Sequence, residues 1–157
     1  MGIIITNPEQ TAINRVAVSE QNKIIKWVID KIEESDIFEN YEINFNDLKI
    51  DKSNVGIILN SGARKSSEYV DGGYDAVIPL NITLRKVGTE SDDSRLHNID
   101  LINQLGIWFD ENIVRNKQVE GYTIYSVEQQ NQATLVYADE SGIEDTSAEF
   151  RVSYSKD

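Results

Sequence analysis

The sequence predicts an α+β fold, a mainly antiparallel sheet with two principal helices packed on one face. Three observations lead there. Two segments carry apolar residues at helical spacing, the run 74–84 alternates apolar with polar, and the last third breaks into short alternating runs separated by turn signals. The order helix, strands, helix, strands is that of helices laid against a sheet rather than of alternating βαβ units.

The first helix is expected over 19–34. Ser19 stands as its cap, Glu20 sits near the positive end of its dipole, and Ile24, Ile25, Val28, Ile29 and Ile32 line one side. Tyr41, Ile43 and Phe45 alternate with polar neighbours as a half-buried strand does, and 55–59 is a short apolar strand ended by Asn60-Ser61-Gly62. From 62 to 73 almost nothing is apolar, so an exposed, mobile loop is expected. In the next strand Tyr74, Ala76, Ile78, Leu80, Ile82 and Leu84 share one parity, which makes one face core and the other wet. Pro79 cannot donate to a ladder, so the strand should bulge there or lie at an edge for part of its length.

Ser91 with Asp92 and Asp93 forms the cap and acidic first turn of a second helix, 92–113, carrying Leu96, Ile99, Ile102, Leu105, Phe109 and Ile113. Gly106 inside it costs about 1 kcal/mol relative to alanine, so the helix should bend there or something should pack close to its backbone. Beyond Gly121, the runs 122–127 and 133–137 and the alternation Ala148, Phe150, Val152, Tyr154 read as an antiparallel meander, with the turn at 139–142. A chain of 157 residues without repeat or linker is expected to be one domain, with a flexible N-terminal arm over 1–8.

Composition narrows the function. With 15 basic and 27 acidic residues the net charge is −12, a field that repels phosphate, so tight nucleic-acid binding is not expected. The absence of cysteine removes disulfides and thiolate chemistry. No apolar run is long enough to span a bilayer and the N-terminus lacks a secretory pattern, so a protein that stays in the cell that makes it, or enters a particle assembled there, is expected. Gly2 with Thr6 and Asn81-Ile82-Thr83 match lipidation and glycosylation patterns too short to carry weight.

Little points to catalysis. His97 is the sole histidine, and no serine stands in a Gly-x-Ser-x-Gly elbow. The acidic groups Asp92 with Asp93, and Asp139, Glu140, Glu144 and Asp145, lack calcium-loop spacing and read as a helix start and a solvated hairpin. The glycines form no nucleotide-binding pattern, and Trp27 and Trp108, one per helix, read as packing or interface residues. No cofactor, metal or catalytic residue is expected.

The strand Ala76-Val77-Ile78-Pro79-Leu80-Asn81-Ile82-Thr83-Leu84-Arg85, the helix after it, and the closing segments resemble a known family. Those segments are Gly121-Tyr122-Thr123-Ile124, Ala133-Thr134-Leu135-Val136-Tyr137-Ala138-Asp139-Glu140-Ser141-Gly142 and Ala148-Glu149-Phe150-Arg151-Val152-Ser153-Tyr154. The family is that of the tail-terminator and minor-capsid proteins of the head–tail connector region of siphophages and prophages. The resemblance implies a non-enzymatic subunit of a ring, commonly hexameric, that caps the tail tube and joins it to the head-side connector. Its partners would be further copies of itself, the tube protein and the connector protein, with no membrane. Its location would be the virion or tail particle, assembled in the bacterial cytoplasm. Arg64, Lys65, Tyr69, Asp71, Arg85 and Lys86 are then the candidate assembly contacts. Two other readings stand beside it: a capping subunit of a phage-tail-like bacteriocin or injection device, and a small-molecule or peptide-binding domain or minor hydrolase using Asp92, Asp93 and His97.

Overall fold

The computed structural model describes residues 15–88, 91–113 and 118–157; the arm expected over 1–8 lies outside them. The order of elements is α1 (Val18–Glu34), β1 (Glu42–Phe45), β2 (Asn54–Leu59), β3 (Arg64–Glu68), β4 (Tyr74–Val87), α2 (Asp92–Asn112), β5 (Tyr122–Gln129), β6 (Thr134–Ala138) and β7 (Ile143–Lys156). The architecture is α+β, with a seven-stranded, mostly antiparallel sheet.

Two long strands make the spine of the sheet. β4 and β7 pair from Tyr74↔Lys156 to Val87↔Ile143 without a register shift. Each is flanked on its outer side by two short strands placed end to end: β3 and β2 along β4, β5 and β6 along β7. β1 extends the row beyond β2 in parallel. Pro79 falls at the gap between β3 and β2, where its carbonyl accepts from Asn60 N. A residue's N–H and C=O leave a strand on the same side, so the missing donor faces the join and no bulge forms.

The parity of β4 sorts the two faces as its sequence predicts. Ala76, Ile78, Leu80, Ile82 and Leu84 are buried with their β7 partners Tyr154, Val152, Phe150, Ala148 and Thr146, while Asp75, Val77, Pro79 and Asn81 on the other face are half-exposed. α1 adds Ile24, Ile25, Val28 and Ile32 to the core, and α2 adds Ile102, Leu105 and Phe109. Trp27 and Trp108 pack against that core partly buried.

Several expectations need correction. Ser19 is not the cap of α1: Ala17 holds that position with no side-chain bond, and starting the helix at Val18 turns Glu20 inward. The 62–73 stretch is not all loop, because 64–68 form β3, whose ladder is supplied by β4 and needs no apolar alternation of its own. The closing strands are not a meander. β5 and β6 both pair with β7 rather than with each other. On α2, Leu96 is 64% exposed and Asn98 takes the buried place in the stripe.

Ser91 does cap α2, its hydroxyl accepting from Ser94 N at 3.1 Å. Of the two explanations for Gly106, close packing holds: a methyl group there would overlap the Gln129 side chain, whose Nε2 donates to Asn103 Oδ1 at 2.6 Å.

Candidate functional site

The hairpin β3–β4 holds four of the six candidate contacts. The connection after β3 closes with Tyr69 N donating to Gly73 O at 2.7 Å, and Gly72 at φ +92° supplies the left-handed backbone the turn needs. At the tip Val70 is wholly exposed and Tyr69 is 48% exposed. Asp71 shapes the turn by accepting from Gly73 N at 3.0 Å. Lys65 lies over the Tyr74 ring and bonds Glu68 at 3.2 Å, and Arg64 bridges to Arg15 through its backbone.

Arg85 and Lys86 stand at the far end of β4. From Val77, the partner of Arg64, to Arg85 is eight steps along the strand, or roughly 27 Å at the usual rise, so the six residues do not form one patch. Arg85 lies opposite Asp145 and grips it through two bonds, Nε to Oδ1 at 2.7 Å and Nη2 to Oδ2 at 2.8 Å. That bidentate contact raises the guanidinium pKa above its ordinary value. Lys86 Nζ donates to the Tyr41 hydroxyl at 2.9 Å.

Nearby, Arg95 of α2 holds Glu144 through Nε at 2.6 Å. Glu144 and Asp145 are therefore buried ionic partners and not, as their hairpin setting suggests, solvated charges. Asp139 behaves as a turn residue, accepting from Ser141 N at 3.0 Å and Ile143 N at 3.1 Å, and its carboxyl pKa is lowered chiefly by the Ser141 hydroxyl. Asp92 pairs with Arg95 at 3.3 Å, and His97 is exposed one turn further along α2. Among the described residues no group of three or more His, Cys, Asp or Glu side chains is placed to hold a metal, and no helix is long and apolar enough to cross a membrane.

At the opposite end of the spine sits a polar knot that sequence reasoning missed. Glu20, 5% exposed, accepts from three phenols: Tyr74 at 2.5 Å, Tyr154 at 2.7 Å and Tyr122 at 3.0 Å. Burial first, and the Glu20 carboxylate second, push the pKa of all three tyrosines up. The next residue, Gln21, accepts from Ala63 N at 2.8 Å, so two adjacent side chains of α1 tie the helix to the start of the β3–β4 hairpin. The signal was a glutamate in the first turn followed by tyrosines of core parity at 74 and 154. Nothing local connects them.

Comparison with known proteins finds no match among protein-family models or curated proteins.

Proposed function

We propose that the chain is a structural, non-enzymatic subunit of a phage-type tail, a tail-terminator or tail-completion protein that works as part of a closed ring, with both helices laid on the core face of the sheet. Contacts support that layering: Glu20 of α1 meets Tyr74 and Tyr154, and Asn103 of α2 meets Gln129, which pairs with Phe150; Tyr74 lies on the even-parity face of β4, and Tyr154 and Phe150 are β7 partners of that face.

The observation that carries the functional reading is the β3–β4 hairpin. It offers a tip of Tyr69 and exposed Val70, with basic Arg64 and Lys65 behind it, on a chain of net charge −12. An apolar tip braced at its base by buried hydrogen bonds is suited to inserting into a neighbouring protein, and the acidic field lets DNA pass through a ring without adhering.

The test pairs the purified chain with tail tubes grown without a terminator. The wild type should stop tube growth and appear as a ring at the tube end in electron micrographs. Tyr69→Ser with Val70→Ser should melt within a few degrees of wild type, both positions being exposed, yet leave tubes uncapped. Tubes that grow unchecked with the wild-type protein would overturn the proposal.

A further inference from the structure

At one level of the sheet five strands form a single row, β1-β2-β4-β7-β6, in which Ile43, Val55, Leu84, Thr146 and Leu135 stand side by side. β1 and β6 are its two ends, and among the described residues neither has a partner on its outer side. Following the pairings across, β1 and β6 run in opposite directions. Copies set side by side in one orientation therefore bring β6 of one against β1 of the next as an antiparallel pair at the same height.

The chemistry of β6 fits such a joint. Edge strands of soluble proteins are commonly guarded by charge, because an open row of N–H and C=O groups templates association. β3 carries Arg64, Lys65 and Glu68, and β5 carries Glu128, but residues 129–138 hold no charge at all in a chain of −12. Every residue of β6 is exposed, including Leu135 at 43%, Val136 at 61% and Tyr137 at 47%. On the receiving edge the one charge of β1, Glu42, is answered by Lys52 at 2.8 Å, and Phe45 lies 38% exposed. Its register places Phe45 on the same sheet face as Leu135. A strongly acidic molecule that meets its own copies is repelled least where the joining strands themselves carry little net charge.

We propose that β6 of one copy adds to β1 of the next, extending the sheet from subunit to subunit as a head-to-tail contact. The other edges fit less well. β3 lies at the far end of the spine and would stagger successive copies by much of the strand length, and β5 shares the side and direction of β6. The inference deepens the ring reading above and rests on it for closure of the assembly, since a head-to-tail contact gives either a ring or a filament.

The chain has no cysteine, so single cysteines report on the joint without background. Leu135→Cys and Phe45→Cys, each checked for wild-type circular dichroism, would be treated with a short bis-maleimide alone and mixed. The mixture should give a cross-linked dimer on a denaturing gel and each variant alone should not. Val136→Lys should weaken self-association in light scattering by tenfold or more. Cross-linking of Leu135→Cys with itself would indicate a two-fold β6–β6 contact and overturn the proposal. So would oligomers that form normally with Val136→Lys, or a mixture that stays uncross-linked. A chain that caps tubes without the cross-link would sink this inference alone, and one that cross-links but caps nothing would sink the tail reading alone.

Discussion

The two ends of the β4–β7 spine solve the same problem in different ways. Near Tyr74 and Lys156 a buried carboxylate, Glu20, is held by three neutral hydroxyls. Near Arg85 and Asp145 buried carboxylates are held by guanidinium groups, Arg85 on Asp145 and Arg95 on Glu144. In the first arrangement one charge depends on several donors and, among the described residues, forms no ion pair, so its loss strands the hydroxyls in a dry site. In the second each buried carboxylate is held by one arginine, and both Arg85 and Arg95 keep an edge in water, with side chains 15% and 40% exposed. The comparison teaches that the tyrosine end should be the more sensitive to substitution, and that it should fail in alkali.

The largest effect is expected from Glu20→Ala. Each hydrogen bond to a charged group contributes roughly 1.5–3 kcal/mol, and buried phenols left without an acceptor add their desolvation cost. Non-additivity within one network trims the sum to about 4 kcal/mol, or a fall in Tm on the order of 10 °C for a domain of this size. Calorimetry checks it. A loss under about 1 kcal/mol would mean that the knot contributes no more than an exposed helix-end charge.

The knot also sets the alkaline limit. An unfolded tyrosine loses its proton near pH 10, and Tyr74 and Tyr154 hold theirs to higher pH in the folded chain. Their contribution is therefore complete below about pH 10 and is lost as pH rises through and beyond that value. These two groups give a slope that rises from about 1.4 kcal/mol per pH unit at pH 10 to about 2.5 at pH 11. Urea midpoints from pH 9 to 11 would trace it. A double Tyr74→Phe, Tyr154→Phe variant should flatten the slope; an unchanged slope would locate the alkaline sensitivity elsewhere.

Much of the fold was legible because it rests on local periodicity. The parity of β4, the Ser91 cap and the close approach at Gly106 all follow from neighbours within one element or from a backbone cost that needs a reason. What was not legible depends on contacts distant along the chain. β3 reads as loop because Arg-Lys-Ser-Ser-Glu has no apolar face, and it is a strand because β4 offers it an edge. Glu144 and Asp145 read as solvated because their arginines lie 49 and 60 residues away. The two open edges of the five-strand row could not be seen at all until β6 was found on β7 rather than on β5.

The smallest effect separates the two ends most cleanly. Arg85→Met removes the cation from Asp145, which is 8% exposed, and keeps much of the side-chain volume. Breaking a fully buried pair costs about 3–5 kcal/mol, but the wet edge of Arg85 lets water reach the stranded carboxylate, so about 2 kcal/mol is expected. Replacing both partners, Arg85→Met with Asp145→Leu, should recover most of that loss, because an apolar pair needs no counter-charge. No single second substitution rescues Glu20→Ala, whose removal leaves three hydroxyls rather than one ion to satisfy. Denaturant midpoints of the single and double variants decide it. A double variant as unstable as the single one would show that the Arg85–Asp145 pair contributes through its geometry across β4 and β7 and not through the balance of its charges.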